Sequence, residues 1–280
     1  MTRIFLFVAF MLCTFSPQSS FAEEKESVYD RVMRTGTIRC GYQNYPPYIH
    51  KNLVTGEFEG IYPDIFHELA DQAGLKIIWA EELGSDVLFE SLKTGRVDIL
   101  CTPLSYTVAR AKHASFLMPF IYVPFYVYIR ADDHRFEKNP YESLNNENIS
   151  FIVKDGDLIE ILAREHFPKS QRMDNGGLTD TAQMMLSVTG KKADAIVGEP
   201  VYAGMFMRSN PGTLKRVAAK PLRVFPATAA VPLGDMKMKE FINTALLSLS
   251  DTGFIEKTIA RHIENSSDLF PISKPYAVPE

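Results

Sequence analysis

The residues best placed for chemistry in this sequence are Arg110, Glu199, Asp157 and the pair Tyr45 and Tyr48, all in loops that follow apolar, strand-like runs. The guanidinium of Arg110 offers two parallel donors that match a carboxylate, an interaction that strengthens where water is excluded. The same residue on an open surface would only form a weak ion pair. Glu199 ends an apolar run and precedes Pro200, so it stands at a strand end and a helix start. There it can meet a cation, or simply complement the positive end of the helix dipole. Asp157, in Lys154-Asp155-Gly156-Asp157-Leu158, can cap the following helix with its own carboxylate. Tyr45 and Tyr48 flank Pro46-Pro47 and either pack against that turn or offer a flat apolar face with cation–π character. Such groups bind. Catalysis would need an acid or base from among Glu199, Asp157 and His113, and no Ser-His-Asp order or phosphate loop accompanies them. The six histidines are scattered without the short pairings of a metal site.

These residues need a scaffold, and the pattern around them supplies one. Val28 to Met33 reads as a short helix and Thr37 to Gly41 as a strand. Pro63 suits the first turn of a helix with the apolar stripe Ile65, Leu69 and Ala73, which Gly74 ends. Strand Leu75 to Trp79, helix Asp86 to Lys93 with its stop at Gly95, and strand Val97 to Cys101 follow. This β-α-β-α-β order implies parallel strands covered by helices. Phe120 to Ile129 is apolar enough for a buried helix, yet its β-branched and aromatic bias and Pro124 favour an extended crossover. After a charged, loop-like stretch from Arg130 to Asn148 the alternation restarts with strand Ile149 to Val153, helices Leu158 to His166 and Thr181 to Val188, and strand Ala193 to Val197. A helix opens at Pro200, Leu222 to Val231 forms a second extended crossing, and helices span about Lys237 to Ser250 and Gly253 to Glu264. The tail with Pro271, Pro275 and Pro279 reads as irregular.

Two α/β units, each ended by an extended crossing, predict two lobes joined by two strands: 23–126 with 226–280 as lobe one, and 127–225 as lobe two. Ligands of open parallel sheets bind beyond the carboxyl ends of the strands, so the loops after Cys40, Cys101, Val153 and Val197 are expected to line one cleft.

The first 22 residues combine Arg3, an apolar run from Ile4 to Phe15 and the stop Ser20-Phe21-Ala22, the pattern of a cleavable secretory signal. The run falls short of the roughly 20 residues of a membrane-spanning helix. Phe10-Met11-Leu12 before Cys13 lacks the small residues of a lipidation site. Removal of the leader takes one basic residue and no acids, moving the formal charge from −4 to −5. A mildly acidic chain argues against a nucleic-acid partner. Of the two remaining cysteines, Cys40 and Cys101, the sequence leaves two readings open: a disulfide in an oxidising compartment, or two small buried apolar side chains.

Taken in order, several segments resemble family 3 of the bacterial extracellular solute-binding proteins, the polar amino-acid receptors of ABC importers. They are Gly41-Tyr42-Gln43-Asn44-Tyr45-Pro46-Pro47-Tyr48, Phe58-Glu59-Gly60-Ile61-Tyr62-Pro63-Asp64, Leu92 to Ile99, Ser105-Tyr106-Thr107-Val108-Ala109-Arg110, Asp194 to Glu199, and Asp251-Thr252-Gly253-Phe254. The resemblance implies the two-lobed type II periplasmic-binding-protein fold, an α/β architecture that closes around its ligand at two hinge strands. It also implies a periplasmic monomer that uses no cofactor and engages the membrane subunits of an importer.

For the site, the resemblance implies that Arg110 forks onto the α-carboxylate of an amino-acid-like ligand with help from the hydroxyl and amide of Ser105. Glu199 then pairs with the α-ammonium, Tyr45 lies over the ligand with Tyr48 nearby, and Thr102 supplies a backbone acceptor. Two positions depart from the pattern. Asp157 stands where a Ser or Thr usually follows Gly at the helix start, and there it would either occupy the amides as a cap or turn to a cationic or hydroxylated part of the ligand. Ser85 stands where Phe or Leu usually completes an aromatic clamp. Some proteins of this fold are dehydratases acting on cyclohexadienyl acids, which keeps an enzyme among the readings, and a ligand-free accessory protein is a third.

Overall fold

The computed structural model describes residues 26–155, 157–174, 181–265 and 267–272; the leader, Gly156 and the prolines beyond Pro271 lie outside them. In chain order the first part runs α1 (Val28–Thr35), β1 (Thr37–Tyr42), β2 (His50–Lys51), β3 (Phe58–Glu59), α2 (Ile61–Gln72), β4 (Lys76–Glu82), α3 (Leu88–Lys93), β5 (Ile99–Leu104), a single 3-10 turn at Arg110–Lys112, β6 (Ala114–Phe116) and β7 (Ile121–Arg130). The second part holds α4 (Pro140–Leu144), β8 (Ser150–Val153), α5 (Leu158–His166), β9 (Gln171–Asp174), α6 (Thr181–Thr189), β10 (Ala195–Gly198), α7 (Pro200–Ser209), β11 (Leu214–Arg216) and β12 (Arg223–Pro232). The chain then returns through α8 (Met236–Asp251), α9 (Phe254–His262) and β13 (Phe270–Pro271). No helix among the described residues is long and apolar enough to cross a membrane.

Two parallel sheets are spliced by two long antiparallel strands. In lobe one β4, β1 and β5 run parallel; in lobe two β10, β8 and β9 do. The early half of β7 pairs with the early half of β12, Ile121 opposite Ala227 and Phe125 opposite Arg223. The late half of β7 pairs with β10 in lobe two, and the late half of β12 pairs with β5 and β6 in lobe one. The segment from Phe120 is therefore a strand, and Pro124 sits within it opposite Val224. Helices cover the sheets with their apolar faces: Ile65, Phe66 and Leu69 of α2 meet Ile242, Leu246 and Ile259 in one core. Leu162 and Ala163 of α5 meet Phe151, Val153 and Val197 in another.

Cys40 on β1 and Cys101 on β5 are joined as a disulfide, with their Cα atoms 5.5 Å apart. Both are fully buried in the lobe-one core, where the bridge ties adjacent parallel strands.

The short strands β2, β3, β6, β9 and β11 were not expected from the sequence, and two further stretches take on a different character. Arg130 to Asn148 contains the helix α4 and a pinned ion network rather than plain loop. Asp133 takes Arg130 at 3.0 Å and Arg135 at 2.6 Å, while Asp194 takes Arg135 at 2.5 Å and accepts from the Ser150 amide. The start of the proline-bearing tail is ordered too: Phe270 and Pro271 pair with Tyr122 and Ile121 of β7. A proline fits there because that position is at the margin of a sheet, where one missing donor breaks no ladder.

Candidate ligand-binding site

The loop after β1 is a compact device for presenting two phenols. The Tyr45 amide donates to the Ile49 carbonyl at 2.7 Å and the Tyr48 amide to the Tyr45 carbonyl at 2.9 Å. The first amides of α2 hold the loop from behind, Ile61 donating to Pro47 O and Tyr62 to Tyr48 O. Gly60 permits this approach: its φ is +128°, and a Cβ there would lie 2.7 Å from the Pro47 and Tyr48 carbonyl oxygens. Only glycine adopts that backbone without strain. Gly60→Ala is expected to lower stability by about 2–4 kcal/mol, from backbone strain and the forced shift of the loop. Equilibrium denaturation measures it; an unchanged midpoint would show that the loop gives way freely.

Both tyrosine hydroxyls reach the same carboxylate. Tyr48 donates to Glu199 Oε2 at 2.7 Å and Tyr45 makes a close hydrogen bond to Oε1. Glu199 caps α7 by position but its side chain makes no cap bond; the carboxylate turns to the phenols instead. It is 8% exposed and has no ion pair with a cation among the described residues. Burial pushes its carboxyl above the ordinary value of 4.5, and the two phenol bonds oppose that rise. Burial, and then the Glu199 charge, likewise push both phenols well up, so they stay protonated donors.

The raised carboxyl fixes the sign of a pH effect. The folded protein holds this proton to higher pH than the unfolded chain, so stability is fully present below about pH 4.5 and falls as pH rises through the raised folded value. Against Glu199→Gln, which cannot ionise, the wild type is expected to lose ground as pH climbs from 4 to 8. Thermal melts of both proteins across that range check it, and a constant difference would contradict the assignment.

Arg110 starts the 3-10 turn and donates from Nη1 to the Ser105 carbonyl at 2.9 Å, while its amide donates to Thr107 Oγ1. No carboxylate among the described residues pairs with it. Four of its five donors therefore have no partner within the described chain. Ser105 thus orients Arg110 through its carbonyl. Thr102 is 1% exposed, and its Oγ1 has no hydrogen-bond partner among the described residues.

Ser85 lies at the rim and accepts from Gln43 Nε2 at 3.2 Å. Asp157 holds the cap position of α5 but makes no side-chain cap bond. Of the two roles the sequence left open for it, the cap is not made; Asp157 lines the cleft, where its charge adds a little to the rise of the Tyr45 phenol.

All eight residues singled out from the sequence line one cavity of about 340 Å³: Tyr45, Tyr48, Ser85, Thr102, Ser105 and Arg110 from lobe one, Asp157 and Glu199 from lobe two. The hinge strands contribute Val123, Phe125 and Ala227. His113 is not among the lining residues; it borders a separate surface hollow beside Lys112 and Pro232. Two participants escaped the sequence reading. Lys154 adds a second cation to the cavity wall, masked in the sequence by the acids that follow it. Tyr202 stacks on Tyr45 with ring centroids 5.1 Å apart; its place one turn after Glu199 on α7 was the available signal. With Tyr48 stacked on the same ring at 5.5 Å, Tyr45 is packed among aromatics rather than presented as an open platform.

Two α/β lobes, spliced by paired crossing strands and meeting over a polar cavity, define a binding protein of the type II periplasmic fold. The chain belongs to the bacterial extracellular solute-binding proteins, family 3, whose sequence pattern matches residues 38–265. It is 28% identical over 179 residues to a Campylobacter jejuni protein named "Probable histidine-binding protein", covering 63% of this chain and 65%, just under two thirds, of that one. It is 26% identical over 222 residues to the amino-acid-binding protein AabA of Dichelobacter nodosus, covering 76% of this chain and 83% of that one. Among solved structures, the ancestral amino acid-binding protein AncCDT-1, a precursor of cyclohexadienyl dehydratase, superposes with a TM-score of 0.70 at 23% identity, covering 85% of this chain and all of the other.

Proposed function

We propose that this family 3 protein captures a small amino-acid-like zwitterion, or a related carboxylate, in the periplasm and delivers it to an ABC importer. The observation that carries the reading is the opposition, across one cavity, of the Arg110 guanidinium and the buried Glu199 carboxylate. Arg110 takes the ligand's carboxylate and Glu199 its ammonium, with Asp157 and Lys154 reading what lies beyond. Residues 23–126 with 226–280 act as lobe one and 127–225 as lobe two, and the paired segments of β7 and β12 act as the hinge. The names of the curated relatives, histidine-binding and amino-acid-binding, support the ligand class. Thermal shift and calorimetry against amino acids, polyamines and organic acids test it. The reading fails if no zwitterion binds, or if Arg110→Ala responds to the panel as the wild type does.

A second reading rests on one observation. Glu199 is a buried carboxyl whose proton is held above the ordinary range, the condition for a general acid. Incubation with prephenate, followed by the absorbance of phenylpyruvate, decides it: turnover that Glu199→Gln abolishes would make this a dehydratase.

A further inference from the structure

The carboxylate assigned to the ligand's ammonium is itself engaged, by hydroxyl groups that come from the opposite lobe. Tyr45 and Tyr48 sit on the loop after β1, Glu199 holds the cap position of α7, and Tyr202 sits in that helix's first turn. The crossing is made twice: once by two phenol hydroxyls on the two oxygens of Glu199, and once by Tyr202 stacked on Tyr45 at 5.1 Å and 20°. The donors are not loose side chains that happened to fall there. Tyr48 is 1% exposed, both rings are stacked at 5.5 Å and 5°, and the loop that carries them is fastened to α2.

We propose that Tyr45 and Tyr48 are internal competitors of the ligand: their hydroxyls hold the lobes together on Glu199 when the site is empty, and a ligand's cationic group must displace them. This rests on the reading that Glu199 receives that cation. An ammonium is a stronger donor to a carboxylate than a neutral phenol, because the bond is assisted by charge on both sides. The exchange therefore runs toward ligand, but from a site that is not vacant, and apparent affinity is reduced by the fraction of molecules held in the self-satisfied state. The device also selects. A ligand with a carboxylate but no cationic group can engage Arg110 yet has nothing strong enough to take Glu199 from the tyrosines, so plain organic acids are discriminated against.

The test uses the full mature chain and the variant Tyr45→Phe/Tyr48→Phe, which keeps both rings and their stacking and removes only the donors. Small-angle scattering without ligand should give a compact wild type and an expanded variant. Glu199→Ala, which cuts the same contact from the other lobe, should expand likewise. In calorimetry with L-histidine, L-arginine, L-glutamine and L-cysteine, the phenylalanine variant should bind any ligand of the wild type roughly tenfold tighter, the equivalent of one charge-assisted hydrogen bond no longer competing. Weaker binding by the variant would mean that the phenols support the bound ammonium, and would overturn the proposal. So would ligand-free scattering that is the same for wild type and both variants. If none of the four amino acids binds either protein while the variants still expand, the latch stands and the ligand assignment falls, so the two failures are told apart.

Discussion

Replacing Arg110 by alanine is expected to weaken the binding of any carboxylate ligand by about one and a half to nearly four orders of magnitude. The guanidinium lines the cavity with one donor used on Ser105 and no acid beside it among the described residues. Its loss would leave a ligand carboxylate in the cleft without the fork that meets it. Truncating one side of such a pair costs about 2–5 kcal/mol, or roughly 30- to 5,000-fold in Kd. Arg110→Lys is expected to recover only part of this, because an ammonium gives a point charge where the fork gave two parallel bonds. The folded protein should melt near the wild-type temperature, since Arg110 makes no ion pair among the described residues. Calorimetry and thermal melts on the three proteins separate these outcomes, and a Kd unchanged in Arg110→Ala would remove the arginine from the site.

The second large effect concerns stability. The bridge between Cys40 and Cys101 closes a loop with a sequence separation of 61 inside the lobe-one core. In the chain-entropy description a loop of that length is worth about 4 kcal/mol. For a chain of this size the double substitution Cys40→Ala/Cys101→Ala is expected to lower Tm by roughly 8–15 °C. Because both sulfurs are fully buried, reducing agent added to the folded protein should act slowly, and only as fast as the lobe opens. Melts of the double variant, and of wild type with and without reductant, measure both; equal Tm values would show that the bridge contributes nothing.

Much of the fold was legible because each element carried its own local pattern. The strand from Phe120 is the instructive case: ten apolar residues would suit a helix, but Val123, Val127 and the tyrosines prefer a pleated surface and Pro124 breaks a helix, and the structure is extended throughout. The β13 segment was not legible, since two residues with a proline have no periodicity and are defined only by the hinge strand they lie against. The site divides in the same way. Strand ends and the parallel order pointed to the cleft loops, and the resemblance to family 3 picked out the eight residues that line one cavity. What those residues do to one another was not readable, because Tyr48 and Glu199 are 151 positions apart and their hydrogen bond depends on how two lobes meet. Asp157 shows the limit of local rules: its sequence position is a cap, yet its carboxylate lies against the cleft.

The short strand at Phe270 and Pro271 has a practical consequence. It lies on β7 at Ile121 and Tyr122, and the chain leading to it is tethered to lobe two by Arg208 on Glu264 at 3.1 Å and Arg216 near Asp268 at 3.7 Å. On the closure proposed above, with β7 and β12 as the hinge, a fluorescent reporter fused behind this strand would lie beside the pivot, where displacement is smallest. One inserted at the β2–β3 turn, whose Leu53 and Val54 are almost wholly exposed and which is not paired to the crossing strands, is expected to return the larger signal. A sensor built from this protein should therefore be wired through that turn and leave the C-terminal tether intact.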